Sequence, residues 1–215
     1  MSKIHVSYNQ IHSMIKESVD SMRLNEDFQP DIMVAIGGGG FIPELFVSPP
    51  KRTFLKKKNN KNISIQAIGL SLYEDLEIWR AAHKDDNNSE PEVIKTQWLN
   101  FDSSEPSLIG RNILIVDEVD DTRRTLAYAV RELTRDLEKE ATKLREQGQQ
   151  VPPTKIGVFV LHNKLKEKRE PLPKEIMEGN RYFACKEMPD QWLVYPWDAT
   201  DIEEHTTLAS SENTY

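Results

Sequence analysis

Short apolar runs along the chain alternate with longer stretches of helical periodicity. Four apolar-rich runs lie at 32–36, 63–73, 112–116 and 155–161. Such runs are typical of strands covered on both faces of a sheet, because they lack the polar alternation of a half-exposed strand. Two shorter strand candidates follow near the C-terminus, and they are residues 182–185 and 192–195.

Two segments carry the spacing of amphipathic helices. Ser7 and Gln10 have the form of a capping box, and the apolar positions behind them predict a helix that ends at about Asn25. A second apolar stripe follows the third strand and ends near Gly148. Its members are Leu126, Val130, Leu133, Leu137 and Leu144.

The alternation of strands and helices predicts an α/β fold with an open, mostly parallel sheet flanked by helices. The chain shows neither an internal repeat nor a domain linker, so we expect a single domain over 1–215. Residues 74–96 have no convincing period and include the polar stretch 85–89. Long irregular segments in compact domains are often lids, and we expect a flexible, lid-like segment here.

Composition narrows the class of protein. The 215 residues carry 35 acidic and 28 basic side chains, a net charge of −7, which disfavours nucleic-acid binding as the main function. Cys185 is the only cysteine, which excludes an internal disulfide framework and a multi-cysteine zinc site. Neither a signal peptide nor a membrane span is evident, so we expect a cytoplasmic protein without a membrane partner.

The unusual residues follow three of the predicted strands. Gly37–Gly40 contains four of the nine glycines and follows the first strand, while 117–125 and 162–164 follow the third and fourth. The carboxyl ends of parallel strands share one edge of the sheet, where ligands of such folds bind. We therefore expect the functional site at this edge.

The segment 117–125 has the chemistry of a sugar-phosphate site. The free N–H groups of a helix start, two threonine hydroxyls and two guanidinium groups would bind a phosphate. The carboxylates of Asp117 and Glu118 suit sugar hydroxyls or a hydrated magnesium ion. A well-capped helix with exposed acids is the alternative at this stage.

Residues 113–125 resemble the phosphoribosyl-pyrophosphate (PRPP) motif of type I phosphoribosyltransferases, which has four apolar residues, two acids and a small phosphate loop. Further segments narrow the resemblance to fungal xanthine and hypoxanthine-guanine phosphoribosyltransferases and spread it over nearly the whole chain. These segments are 35–43, 71–75, 96–98, 159–164 and 189–198.

The resemblance implies a purine-salvage enzyme that transfers the phosphoribosyl group from PRPP to a 6-oxopurine and releases pyrophosphate, with Mg²⁺ as cofactor. It implies that Asp121 is the general base, although a shift of one residue would place Asp120 there. A C-terminal purine-binding hood over 182–215 and a homodimer are also implied. The implied PRPP-binding residues are Gly38, Gly39, Asp117, Glu118, Asp121, Thr122, Arg123, Arg124 and Thr125. The implied purine contacts are Lys164, Trp192 and Leu193, and the implied metal ligands are Asp117, Glu118 and Asp198.

The chain departs from the wider family in its loops. Many members have a lysine or arginine where Gly38 stands and a glycine where Arg123 stands. The family's glycine loop often contains a cis peptide, which we expect at Gly38–Gly39. Residues 47–51, which include two prolines, are an insertion relative to fungal members.

Other interpretations stay open on the residues alone. Lys164 lies in a charged stretch with Lys166 and Lys168, which on its own predicts a surface lysine, and Trp192 is equally compatible with core packing. A regulator that senses PRPP without catalysis would share the fold. A phosphoryl-transfer protein that uses Asp117 as nucleophile is a third class, which leaves the glycine loop unexplained.

Overall fold

The computed structural model describes residues 3–41, 43, 54–55, 63–72, 93–100 and 107–211. The predicted insertion at 47–51 and most of the predicted lid, residues 74–92, lie outside them. The helices are α1 (Tyr8–Ser21), a π-helical turn (Leu24–Phe28), α2 (Arg124–Glu146), α3 (Lys174–Met177), a 3₁₀ turn (Pro196–Asp198) and α4 (Ile202–Ser211). The strands are β1 (Lys3–His5), β2 (Ile32–Ile36), β3 (Ser64–Leu72), β4 (Val93–Gln97), β5 (Asn112–Asp120), β6 (Lys155–Lys164), β7 (Tyr182–Met188) and β8 (Trp192–Val194).

In the described part of the chain, six strands form the main sheet in the order β4-β3-β2-β5-β6-β7. The pairs from β3 to β7 are parallel, and only β4 runs antiparallel to its neighbour. The predicted α/β fold with a mostly parallel sheet is therefore confirmed. Within the described ranges, no helix has the length and apolar character that crossing a bilayer requires.

Both faces of the sheet are covered, as the apolar runs predict. Every residue of β2 is buried. One face packs against α2, where Leu126, Val130 and Leu133 are buried. The opposite face packs against α1, whose Ile11 and Ile15 are fully buried. The predicted capping box is present at Ser7, where the hydroxyl accepts from the Gln10 backbone N–H.

The structure differs from the sequence-based prediction at several element ends. The first helix ends at Ser21, and the π-helical turn follows it. Residues 93–97 form β4, although the sequence predicts an irregular segment as far as residue 96. The third and fourth strands continue through Asp120 and Lys164, so residues 117–120 and 162–164, which the sequence places after the strands, form the strand ends. The Gly38–Gly39 peptide is trans, contrary to the prediction.

The strands of the predicted hood, residues 182–215, belong to two different sheets. Strand β7 is the edge strand of the main sheet, and β8 pairs with the N-terminal strand β1 in a separate parallel pair. The helix α4 lies on this pair, where the His205 ring nitrogen Nε2 is 3.0 Å from the Val6 carbonyl oxygen. The N-terminus therefore supports the segment that carries Trp192.

Candidate functional site

The carboxyl ends of β2 and β5 meet at a cavity of about 480 Å³. The walls come from the glycine loop, the end of β3, the end of β5 and the first turn of α2. Eight of the nine predicted PRPP-binding residues line this cavity, and Gly38 is the exception. The eight are Gly39, Asp117, Glu118, Asp121, Thr122, Arg123, Arg124 and Thr125.

The glycine loop needs its glycines for different reasons. Gly38 has a φ of +97°, a conformation that side chains strongly disfavour. A Cβ on Gly39 would overlap the Glu118 carboxyl group, and a Cβ on Gly40 would lie 2.6 Å from the Val116 carbonyl oxygen. The loop therefore lies directly against β5 and its acidic residues, which brings the loop backbone and the acids to one cavity.

The acidic pair at the cavity has no cationic partner among the described contacts. Asp117 is buried, and burial together with the neighbouring Glu118 carboxyl raises the pKa of Asp117 well above its usual value. The Glu118 Oε2 atom is buried without a hydrogen-bond partner. Two adjacent carboxyl groups with an unsatisfied oxygen fit a divalent cation, which would relieve their repulsion.

Asp120 and Asp121 have different environments. The carboxylate of Asp120 is fully buried and accepts hydrogen bonds from Arg123, at 2.9 and 2.7 Å, and from the Tyr182 hydroxyl at 2.6 Å. Asp121 lies in the turn after β5 and lines the cavity, with 39% of its side chain exposed. Of the two, Asp121 is the carboxylate that a ligand in the cavity can reach.

Arg123 does not present its guanidinium group as we expect from the sequence. The group pairs with Asp120 and lies 5.2 Å from the centre of the Tyr182 ring, with 10% of the side chain exposed. The backbone of Arg123 caps α2 with a φ of +69°. An arginine thus adopts a left-handed conformation at the position where many members of the family that the sequence resembles have glycine.

Lys164 contacts Asp121 at the end of β6. The Lys164 Nζ atom donates to Asp121 Oδ2 at 2.8 Å, and it lies 3.6 Å from Asp190. Lys166 pairs with the same two acids, at 2.8 Å from Asp121 and 2.9 Å from Asp190. These four residues, the base cluster, form a ring of alternating charges.

The charges of the base cluster determine how Asp121 titrates. Burial alone would raise the pKa of Asp121, but the ion pairs with Lys164 and Lys166 outweigh it and lower that pKa. The same contacts with Asp121 and Asp190 raise the pKa of Lys166. Asp121 is therefore ionised at neutral pH, as a general base must be.

Trp192 and Leu193 occupy β8, next to the base cluster in sequence. Trp192 is 59% exposed, which argues against core packing for its indole ring. Leu193 is half-buried and pairs with Ile4 of β1. Asp190 anchors the start of this segment to Lys164 and Lys166.

Asp198 does not join the predicted metal site. It is exposed in the 3₁₀ turn and does not line the cavity. Across the described part of the chain, no three His, Cys, Asp or Glu side chains are grouped as metal ligands. The structure thus brings Asp117 and Glu118 together and leaves Asp198 apart.

Sequence reasoning missed a buried link below the acidic pair. The Tyr195 hydroxyl donates to the Glu118 carbonyl oxygen at 3.1 Å, and His162 Nδ1 lies 2.8 Å from the same hydroxyl. Burial and the charge of Lys186 lower the pKa of His162 to about 3, so its ring is neutral. Because the tyrosine proton goes to the carbonyl, His162 Nδ1 is the donor to the hydroxyl. The sequence indicates this link only through the position of His162, which directly follows the predicted fourth strand.

No protein-family model matches the chain. It is 50% identical over 204 residues to the hypoxanthine-guanine phosphoribosyltransferase of Schizosaccharomyces pombe, covering 94% of this chain and 92% of that protein. The chain belongs to the type I purine phosphoribosyltransferase family. The xanthine phosphoribosyltransferase 1 of Saccharomyces cerevisiae is 48% identical over 216 residues, covering 98% of this chain and 96% of that protein.

Two solved structures share the fold of this chain. A hypothetical protein from Neisseria gonorrhoeae, crystallised with bound ppGpp, is 33% identical at a TM-score of 0.71, covering 99% of this chain and 98% of that chain. A purine phosphoribosyltransferase from Pyrococcus horikoshii shares the fold at 17% identity and a TM-score of 0.55, covering 94% and 97% of the two chains. The predicted enzyme class, a pentosyltransferase of purine salvage, is confirmed by membership of this family.

Proposed function

We propose that this phosphoribosyltransferase moves the phosphoribosyl group of PRPP to a ring nitrogen of a 6-oxopurine, which is hypoxanthine, guanine or xanthine. The observation that carries the proposal is the contact between Asp121 and Lys164 beside the acidic cavity. A 6-oxopurine has an imidazole nitrogen and a carbonyl oxygen on one edge. An adjacent proton acceptor and cationic donor match that edge.

PRPP would occupy the cavity. Backbone N–H groups at the start of α2 and the hydroxyls of Thr122 and Thr125 would bind the 5′-phosphate. The carboxylates of Asp117 and Glu118 would accept from the ribose hydroxyls. The glycine loop would bring backbone amides to the pyrophosphate, where this chain lacks the side-chain cation of many relatives.

The purine would lie beside Asp121. Lys164 would donate to the carbonyl oxygen at C6, Trp192 would stack on the ring, and the Leu193 backbone would meet the base near C2. The purine nitrogen forms the bond to C1′ as the bond from C1′ to the pyrophosphate oxygen breaks. Asp121 takes the proton of the other imidazole nitrogen, which lies on the carbonyl edge of the base. General-base catalysis of this kind raises the rate about 10²–10⁴-fold.

Magnesium is the proposed cofactor, because the family typically uses the magnesium complex of PRPP. Asp117 and Glu118 would hold the ion, and oxygens of PRPP would complete its shell, since Mg²⁺ in such sites is bound by one or two carboxylates plus substrate phosphates. When bound, the ion neutralises the charge of the departing pyrophosphate. The unpartnered Glu118 Oε2 supports this placement.

Pyrophosphate release tests the proposal. Purified protein with Mg²⁺ and PRPP should release pyrophosphate with hypoxanthine, guanine or xanthine, and not with adenine, whose C6 amino group presents donors to Lys164. Comparing kcat/KM for the three 6-oxopurines identifies the preferred base. Asp121→Asn should lower kcat about 10²–10⁴-fold, while the Kd of PRPP changes little.

The PRPP-sensing regulator is the alternative outcome of this experiment. Tight PRPP binding without turnover of any purine would favour it and overturn the enzymatic proposal. Equal loss of kcat and PRPP affinity in Asp121→Asn would instead reassign this residue to substrate binding. A homodimer remains part of the proposal because members of the family are commonly dimers, and light scattering during gel filtration measures it.

A further inference from the structure

The ladder between β5 and β6 ends just before the two residues that carry the proposed purine chemistry. Its last pair is Asp120 with Asn163. The next residues along the two strands are Asp121 and Lys164, which this ladder does not hold together. Their side chains contact each other, but this ladder does not fix the spacing of the two backbone segments that carry them.

The ammonium group of Lys168 bridges this gap. Its Nζ atom donates to the carbonyl oxygens of Asp120 at 2.6 Å, Asp121 at 2.9 Å and Lys164 at 2.9 Å. A lysine ammonium has three donors, and all three serve backbone acceptors here. The side chain is 15% exposed, so the bridge lies mostly below the surface.

Charge and backbone contacts support the same bridge. Asp120 Oδ1 lies 3.4 Å from the Lys168 ammonium, so a buried carboxylate balances the buried cation. The next residue, Arg169, donates its backbone N–H to the Thr122 carbonyl oxygen at 3.0 Å. Residues 164–169 thus close over the turn that holds Asp121.

We propose that Lys168 is a positioning residue that sets the distance between Asp121 and Lys164 so that both meet one purine edge. This inference rests on the proposed function and deepens it. The nitrogen and the oxygen of a 6-oxopurine are a fixed distance apart, so groups that bind both must be held at a matching separation. Displacement of a reacting group by about 1 Å can cost about 10²-fold in rate.

Steady-state kinetics on the full chain test the inference, with wild-type turnover measured first. Absence of wild-type turnover refutes the proposed function, whereas wild-type turnover with an unaffected Lys168→Met refutes only the role of Lys168. We expect Lys168→Met to lower kcat/KM for the purine about 10–100-fold, with the Kd of PRPP changed less than about threefold. Lys174→Met, a charge loss at an exposed position of α3, is the matched control and should retain wild-type kinetics.

A double-mutant cycle separates positioning from a merely structural role. If Lys168 acts by placing Lys164, then Lys168→Met should cost little more once Lys164→Met is present. Fully additive losses, or a purine kcat/KM within about twofold of wild type, would overturn the inference. Lys168→Gln, which keeps two donors on a shorter side chain, replaces Lys168→Met in both experiments if the latter does not fold, and we expect a smaller loss of the same kind.

Discussion

Replacing Arg123 with glycine sets two structural effects against each other. The φ of +69° costs a non-glycine residue about 1–2 kcal/mol, and glycine removes that cost. The substitution also removes the partner of Asp120, whose side chain is 0% exposed. Breaking a buried ion pair from one side costs about 3–5 kcal/mol. The cost of losing the ion pair lies at the low end of this range, about 3 kcal/mol, because Tyr182 and Lys168 still face the carboxylate. With about 1 kcal/mol of backbone strain relieved, we expect the free energy of unfolding to fall by about 2 kcal/mol.

Urea unfolding of wild type, Arg123→Gly and Arg123→Ala measures both effects. Arg123→Ala loses the same ion pair and keeps the backbone strain, so it should be less stable than the glycine variant by about 1 kcal/mol. In a chain of this size, a loss of 1 kcal/mol lowers Tm by about 2–4 °C. The glycine variant should therefore melt about 4–8 °C below wild type.

A glycine variant as stable as wild type would refute this reasoning. It would mean that pairing Asp120 contributes no more than the backbone strain costs. An alanine variant equal to the glycine variant would show instead that the left-handed conformation of Arg123 is not strained.

Three further predictions concern the site. Lys166→Met removes one of the two cations that lower the pKa of Asp121, so this pKa should rise. The acid limb of the plot of kcat/KM against pH should then move to higher pH, and an unshifted limb would contradict the ion pairing. Gly40→Ala places a Cβ 2.6 Å from two backbone carbonyl oxygens. This overpacking should cost about 1–3 kcal/mol of stability and lower Tm, and an unchanged Tm would contradict the close contact of the glycine loop with these oxygens. Trp192→Ala should raise the KM of the purine by the loss of a stacking contact of about 1–3 kcal/mol, with the KM of PRPP unchanged; equal increases in both would place the indole elsewhere.

The sequence predicts the sheet well because its strands are buried on both faces. A continuous apolar run such as 32–36 has few other stable arrangements in a chain of this composition. Strand β4 is not predicted from the sequence, because three of its five residues are polar and it lies at the edge of the sheet with two residues exposed. The pairing of β1 with β8 is not predicted either, because three-residue strands far apart in sequence leave no periodic pattern.

The sequence predicts which residues form the candidate site, but not which side chains contact each other within it. Motif and strand order place Asp121 and Lys164 at one edge, and the structure shows their contact. The direction of the Arg123 side chain depends on its left-handed backbone and on the buried Asp120, which composition does not reveal. Lys166 and Lys168 resemble solvated lysines until the fold supplies their acceptors.

The pairing of β1 with β8 has a practical consequence for protein production. Lys3 lies opposite Trp192 in this pair, so any peptide fused ahead of Lys3 begins beside the exposed indole ring. An affinity tag at that end would crowd the segment proposed to bind the purine. Kinetic constants measured on such a fusion would include the effect of the tag on purine binding. Removing the tag by proteolysis before the assay avoids this.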